Sequence, residues 1–345
     1  MTAFFDDQQN AKSALSEMLP MVFGYRSTAL LTVAAKLGLA DHLKDGPKSA
    51  SEVATLCEAH APTLHRIARA LVNRGVLDEM EDGRFALNAR GNLLRSDVPN
   101  SLREMVIYFG DLSYRAYSAL LYSARTGEAA FDKVFGMGFY EYLAQDPELN
   151  KAYNHTLTAG GTAPNMLLSY DYSRARLIVD VGGGDGAMMC GILALHSQST
   201  GIVFDAPADA AQARARIEAA ALSDRCEFVP GNFFDCVPAN GDVYLLARVL
   251  ANWNDDRAGK ILDNVRGAGR ERSTLLVLEQ VMPASMEHRE MAVEGDINVL
   301  AHLGGRIRTE TEFQELLAAH GFSVIAFTPV GSRRRFCMIE CARQG

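Results

Sequence analysis

Excess positive charge is the first thing this chain lacks. It carries 34 Lys and Arg against 42 Asp and Glu, a net charge of −8 and a pI near 5.5. Nucleic acid and anionic bilayers are both held through basic patches, so the balance argues against unaided binding to either. Cysteine is sparse and unpaired in pattern. Cys57, Cys190, Cys226, Cys236, Cys337 and Cys341 show no C-x-x-C and no zinc spacing. Several fall in or beside apolar stretches, as buried thiols do in a reducing cytoplasm. No two histidines stand at a metal-binding spacing, so no metal site is expected. The N-terminus, Met-Thr-Ala-Phe-Phe-Asp-Asp-Gln-Gln, has neither a basic n-region nor an apolar h-region. No unbroken apolar run reaches about 18 residues, so no membrane span is expected and the expected location is cytoplasmic. Internal repeats and low-complexity segments are absent too.

What is present is enough apolar residue, 48% of 345, for full cores, and a length that suggests two domains. From Ala11 to about Leu43 the spacing of Leu15, Leu19, Val22 and Phe23 predicts amphipathic helix. Gly-Pro-Lys-Ser-Ala-Ser-Glu (46–52) breaks it and offers a serine cap. Short helices are expected at 50–58 and 62–75. A hairpin should follow around Glu81-Asp82-Gly83. Helices followed by a hairpin make a winged-helix arrangement. The second short helix carries Arg66, Arg69 and Arg74, but Leu64, Ile67, Leu71 and Val72 mark a packed face, and the chain is acidic. A dimerisation or lid role is therefore preferred to DNA binding. Residues 100–170 read as further helices rich in aromatics, among them Tyr108, Phe109, Tyr117, Phe139, Tyr140 and Tyr153. Such a run walls a flat aromatic substrate or packs helices.

The most informative stretch is Leu-Ile-Val-Asp-Val-Gly-Gly-Gly-Asp-Gly-Ala (177–187). An apolar strand runs into four glycines and then an apolar helix, the first unit of a nucleotide-binding α/β sheet. Gly182-x-Gly184-x-x-Ala187 satisfies the relaxed dinucleotide pattern, so the glycines alone leave a dinucleotide and S-adenosylmethionine both open. Asp180 shifts the balance. A carboxylate upstream of the loop repels a pyrophosphate and helps hold an ammonium. Further strands are expected at 201–205, 226–229, 242–246 and 274–279, with helices near 187–196, 208–220, 255–268 and 310–320. The last two apolar stretches, 323–327 and 336–341, form a hairpin, which makes one strand antiparallel to the rest. Asp205, ending the second strand, is placed to accept ribose hydroxyls. Asn232 could meet the adenine edge, and Phe233 and Phe234 could pack on its face or in the core.

With these features placed, the whole chain resembles the small-molecule O-methyltransferases of the caffeate and hydroxyindole type, and within them the bacterial phenazine-1-carboxylate N-methyltransferase branch. The likeness runs from Ala-Ala-Lys-Leu-Gly-Leu-Ala-Asp (34–41) to the C-terminal hairpin. It includes Ser101-Leu-Arg-Glu-Met-Val, Val179-Asp-Val-Gly-Gly-Gly, Asp242-Val-Tyr-Leu-Leu and Gly304-Gly-Arg-Ile-Arg-Thr. It implies a class I methyltransferase, Rossmann-like α/β sheet with an antiparallel C-terminal strand, and an N-terminal winged-helix dimerisation domain. The expected division is 1–100 for that domain, 101–172 for a helical connector contributing to the substrate pocket, and 173–345 for the S-adenosylmethionine domain. It implies a homodimer acting on a small molecule. Cofactor contacts fall to Asp180, Gly182, Gly184, Asp205, Asn232, Phe233 and Arg248; substrate contacts to Tyr108, Trp253, Asn298 and His302.

The departures from that family bear on chemistry. O-methylating members carry a lysine, three residues, then His-Asp-Trp, and the histidine deprotonates the acceptor. Here the segment reads Ala247-Arg-Val-Leu-Ala251-Asn252-Trp253. The family's glutamate within Gly-Gly-Lys-Glu-Arg-Thr is Ile307, and only the other glutamate remains, as Glu279. Asn232 replaces an aspartate. A phenol near pKa 10 is mostly protonated at neutral pH, and a positioned base is worth roughly 10²–10⁴-fold. Three readings follow. The acceptor atom needs no deprotonation, as with a ring nitrogen or an ionised carboxylate. Another residue, His302, His155 or Glu279, serves as base; His302 and Glu279 are the catalytic candidates. Or the bound sulfonium assists a cyclisation or hydroxylation without methyl transfer. A non-catalytic cofactor-binding partner is the alternative outside enzymes, although the glycine loop and ribose acid both stand.

Overall fold

The computed structural model describes residues 13–146, 149–150, 153, 170–285, 289–330 and 336–344. The chain forms two compact units, Met1–Arg115 and Ala116–Gly345. That boundary falls inside the stretch read from sequence as a connector.

In the N-terminal unit, helices Tyr25–Lys36, Leu39–Leu43, Ala50–Leu56 and Ala61–Asn73 lead to two short antiparallel strands, β1 (Leu77–Glu79) and β2 (Phe85–Leu87). This is the expected winged-helix arrangement. Ser49 starts the third helix through a capping box with Glu52, whose carboxylate accepts the Ser49 N–H at 2.7 Å. Helix Ala61–Asn73 opens with proline in its first turn and buries Leu64, Ala68 and Leu71 along one stripe. Arg66 and Arg69 are exposed, and Arg74 donates to Ser27 Oγ at 2.7 Å. One feature escaped a count of unbroken apolar residues. Ser13–Lys36 is a helix long and apolar enough, by length and composition, to cross a membrane. It exposes Leu15, Met18, Met21 and Val22.

The C-terminal unit is built on a seven-stranded sheet. Its strands are β3 (Leu177–Val181), β4 (Thr200–Asp205), β5 (Cys226–Pro230), β6 (Val243–Ala247), β7 (Thr274–Gln280), β8 (Phe322–Val330) and β9 (Phe336–Arg343). Their order is β5-β4-β3-β6-β7-β9-β8. β3 to β7 are mutually parallel, and β9 runs antiparallel to both β7 and β8, as the terminal hairpin predicted. Alternate side chains fill two core layers. Ile178, Leu245, Leu276 and Leu278 pack with Met189, Ile192 and Leu193 of helix Ala187–Leu195. Val179, Val181, Leu246 and Val277 pack with Ile261, Leu262 and Val265 of helix Asp255–Ala268. Connections leave β3 in one direction and β6 in the other, so the sheet reverses between them. Ligand crevices form outside the carboxyl ends at such a point.

Residues 290–303 gave no helix signal, because Gly295 and Asp296 interrupt the apolar pattern. The structure makes them a 14-residue helix, Glu290–Leu303, closed by Gly304 at φ 66°. The segment beyond it is laced onto the loop after β6. Arg306 N–H donates to the Ala251 carbonyl at 2.9 Å. Arg308, with no exposure, donates to the carbonyls of Leu250 and Trp253, each at 2.9 Å, and to Asp255 at 2.7 Å. Gly305 permits this approach, since a Cβ there would overlap the Ala251 carbonyl oxygen and the backbone of Asn252. Gly305→Ala should therefore destabilise the protein by about 1–3 kcal/mol, the range for overpacking. Urea unfolding should show a lowered midpoint with an unchanged m-value.

Candidate active site

A cavity of about 570 Å³ opens at the carboxyl ends of β3, β4, β6 and β7, and every residue lining it belongs to the C-terminal unit. Its floor at one end is the glycine loop. Gly182 and Gly184 take φ of 78° and 53°, the left-handed region that glycine adopts without strain. A Cβ on Gly182 would lie 2.6 Å from Val249 Cγ2, whereas Gly184 faces open space. The Gly182 N–H is spent on the Phe204 carbonyl at 2.8 Å, and the Gly184 N–H points to Asp205 Oδ2 at 2.7 Å. The loop is thus tied to β4 by its own amides.

Carboxylates crowd this end. Asp180 is 1% exposed, and its Oδ1 has no hydrogen-bond partner among the described residues. Burial, with the charges of Asp205 and Asp185 added, pushes its carboxyl up to about 7. Asp205 is pushed up to about 6 by burial and by Asp209, although the amides of Ala206 and Gly184 oppose the rise. Like charges in low dielectric are costly, and this cluster is relieved when a cation arrives.

Beyond β5, Asn232 uses both ends of its amide locally. Its Nδ2 donates to Asp235 at 3.0 Å and its Oδ1 accepts the Phe234 N–H at 3.0 Å. It still lines the cavity, as do Phe233 and Trp253. Phe234 meets Trp253 edge to face with centroids 4.8 Å apart, and the Arg257 guanidinium stacks 4.1 Å above the Trp253 ring. Arg248, also on the wall, holds φ at 61°. A non-glycine residue in that region stores strain, which clusters at functional sites. Its N–H is anchored to the Leu278 carbonyl at 2.8 Å.

The opposite end is formed by Ala247, Ala251, Leu278, Glu279, Gln280, Gly295, Asn298 and Ile307. Glu279 is 2% exposed, and its Oε1 accepts the Ala251 N–H at 3.1 Å. Burial pushes its carboxyl up to about 7 against the opposing charges of Arg248 and Arg308. Of the residues assigned catalytic, cofactor or substrate roles from sequence, the structure brings ten to this one cavity: Asp180, Gly182, Gly184, Asp205, Asn232, Phe233, Arg248, Trp253, Glu279 and Asn298.

Two others are not on its wall. Tyr108 belongs to helix Arg103–Tyr108 in the N-terminal unit. His302 is 2% exposed, with Nδ1 at 2.8 Å from the Asn298 carbonyl. Its ring lies among Phe131, Phe139 and Tyr117, with centroids 5.5–6.3 Å away. Burial lowers its pKa, so it is neutral at pH 7. His155 lies outside the described residues.

Sequence reasoning passed over Asn252, Gln280 and Gly295, which also line the cavity. Asn252 donates to Tyr140 Oη at 2.7 Å, and Gln280 donates to the Met291 carbonyl at 3.1 Å. The first two sit beside residues that were singled out. Gly295 had no such neighbour. No group of three or more His, Cys, Asp or Glu suited to a metal occurs among the described residues.

The O-methyltransferase domain model matches residues 117–323, and the O-methyltransferase dimerisation domain matches 19–97. The chain belongs to the O-methyltransferase family. It is 39% identical to a phenazine O-methyltransferase, PhzM, of Lysobacter antibioticus over 92% of this chain and 93% of that protein. It is 30% identical to the phenazine-1-carboxylate N-methyltransferase of Pseudomonas aeruginosa over 96% and 98%. Among solved structures it resembles an O-methyltransferase of neocarzinostatin biosynthesis, NcsB1, in complex with S-adenosylmethionine and 2-hydroxy-5-methyl naphthoic acid. The TM-score there is 0.83 at 30% identity, over 92% of this chain and 96% of that one.

The protein is an S-adenosylmethionine-dependent methyltransferase with the family's dimerisation domain. The carboxyl-rich end of the cavity fits that cofactor: an unpartnered buried Asp180 oxygen suits a cation, and the bare Gly184 backbone leaves room beside Asp205. Near pH 5.5 both carboxyls are largely protonated, while a cationic ligand favours their ionised forms. Affinity for S-adenosylmethionine should therefore rise about tenfold from about pH 5.5 to about 7.5, with proton release at the low end. Titration calorimetry in buffers of different ionisation enthalpy checks both, and Asp180→Asn should flatten the dependence.

Proposed function

We propose that this O-methyltransferase relative methylates a small heteroaromatic secondary metabolite at an atom that already bears a usable lone pair, a ring nitrogen or an ionised oxygen. The observation that carries the reading is the wall at Ala247, Ala251 and Ile307, where the cavity presents methyl and alkyl groups in place of a base and its orienting acid. The buried His302, turned among phenylalanines and off the wall, supports it. So does a relative whose name specifies N-methylation of phenazine-1-carboxylate.

When bound, S-adenosylmethionine supplies an electrophilic methyl group on a sulfonium. The chain's part is to position and to exclude water. Asp180 holds positive charge beside the glycine loop, and Asp205 accepts hydroxyl donors. Phe233, Asn232 and Trp253 enclose a flat base, and Arg248 keeps the loop after β6 in place. At the acceptor end, Asn298 and the tyrosine and amide groups near Asn252 orient a planar ring. Alignment of the reacting atoms supplies the acceleration that a base supplies elsewhere, and positioning of this kind is worth several kcal/mol. The exposed apolar face of Ser13–Lys36, most of it within the dimerisation-domain match, meets a second copy of the chain rather than a bilayer. Neither nucleic acid nor membrane is a partner in this reading.

A second reading is favoured by one observation: Glu279 lines the cavity with its carboxyl raised to about 7. It could take the proton of an acceptor hydroxyl, as the name of another relative, a phenazine O-methyltransferase, would suggest. Single-turnover methyl transfer in heavy water separates the two. Transfer to a lone pair moves no proton, so its rate should stay close to that in light water. Slowing by about twofold or more marks proton transfer to a base. His302→Ala should leave the single-turnover rate within about threefold of wild type. A loss of about 10²-fold or more with cofactor binding intact would make His302 the base and end the lone-pair reading.

A further inference from the structure

We infer that Glu279 is the counter-charge for a cationic, N-methylated aromatic ring formed at the β7 end of the cavity, a catalytic residue that acts by charge and moves no proton. The inference rests on the lone-pair reading and narrows its acceptor to a neutral aza-aromatic nitrogen.

The cavity has two acidic poles. Asp180, Asp205, Asp185 and Asp209 gather at the ends of β3 and β4 and after them. Glu279 stands alone on β7, two strands across from β3 by way of β6. Asp180 aligns through Leu245 with Leu276, three residues before Glu279, so strand spacing and rise together put Glu279 roughly 14 Å from Asp180. The first pole suits the permanently charged portion of the cofactor. The second needs an occupant of its own, because a buried carboxylate without a cation is costly.

The protein meets that need only in part. Glu279 Oε1 accepts the Ala251 N–H, and the charges of Arg248 and Arg308 favour ionisation. The Arg308 guanidinium, however, is already bonded to Leu250, Trp253 and Asp255. Arg248 is the cation that shares the cavity wall with Glu279, and the side chains nearest in sequence and strand order are neutral: Ala247, Ala251, Leu278, Gln280, Asn298 and Ile307. The imidazole that would share this carboxylate is replaced by the methyl group of Ala251. What remains is an acid on the wall of a mostly apolar space.

Methylation of a neutral ring nitrogen places a cation there. The nitrogen lone pair forms the bond to the methyl carbon while the carbon–sulfur bond breaks, and that electron pair returns to sulfur. The positive charge leaves the sulfur and arrives on the ring, and no proton is released. A carboxylate at the acceptor end gains attraction as the charge moves toward it. That stabilises the transition state over the neutral bound acceptor.

Phenazine and 5-methylphenazinium, one neutral and one cationic version of the same ring, test this by binding to the full-length enzyme loaded with S-adenosylhomocysteine. Wild type should bind the cation at least about tenfold more tightly than phenazine. Glu279→Gln, which keeps an oxygen for the Ala251 N–H, should remove most of that preference with affinity for S-adenosylhomocysteine unchanged. Glu279→Asp should retain part of it. Equal wild-type affinity for the two rings, or absence of binding by either, overturns the inference without any variant. So does a preference that survives in Glu279→Gln. An enzyme that binds the two rings as expected yet methylates only hydroxyl groups with a solvent isotope effect removes the lone-pair reading itself, and the role of Glu279 with it.

Discussion

The guanidinium of Arg308, buried with no exposure, holds together the part of the molecule where chemistry occurs. Its donors reach two carbonyls of the loop after β6 and the carboxylate of Asp255, the first residue of the helix that follows. A fully buried charge is tolerated only when its donors are satisfied, and here backbone carbonyls share that task with an acid. The consequence is geometric. Loop 248–253 becomes a fixed wall, carrying Arg248 in a strained conformation, Ala251 above Glu279 and Trp253 against Phe234. The glycine loop at the other end is fixed equally by its amides to Phe204 and Asp205. Two rigid walls on one parallel sheet define the cavity between them.

Charge is distributed along that cavity in a way that matches a reaction in which positive charge moves. Asp180 and Asp205 near the glycine loop and Glu279 on β7 are each raised by burial, to about 7, 6 and 7. They are poised to ionise when a cation enters, and the cation's energy is coupled to theirs. By the family pattern read from the sequence, an imidazole at position 251 would stand beside the second pole. With a methyl group there instead, the acid faces the acceptor directly in the proposed reading. The loss of a base and the retention of an acid are thus one change in electrostatics rather than two unrelated substitutions.

Much of the fold was legible in the sequence because the signals were local. Strand, glycine loop and helix around Asp180 were read from periodicity and composition, and so was the terminal hairpin that makes β9 antiparallel. The residues at the ends of strands, Asp180, Asp205, Glu279 and Arg248, reach the cavity because the carboxyl edge of a parallel sheet gathers them there. Helix Glu290–Leu303 was not legible, since Gly295 breaks its apolar pattern. Without the helix there was no phase with which to place its side chains. Asn298 reaches the wall, whereas His302, one turn further on, turns into a cluster of aromatic rings. Gly295 itself was read as an interruption, though it is the residue that leaves space beside Gln280 and Ile307.

The sequence by itself determined the chemistry that is missing. Alanine at 247 and 251 and isoleucine at 307 cannot abstract a proton, whatever their surroundings, because an aliphatic side chain has no basic atom. It pointed to the cofactor class as well: the glycines left a dinucleotide open, Asp180 shifted the balance, and the whole-chain resemblance to the family implied S-adenosylmethionine. Only the tertiary structure decided which remaining ionisable groups face the reaction. Glu279 is exposed to the cavity and His302 is sealed from it, a difference that depends on strand order, helix phase and the packing of residues far apart in the chain. Burial and neighbouring charge then set how each group ionises, and neither quantity is a property of the residue alone.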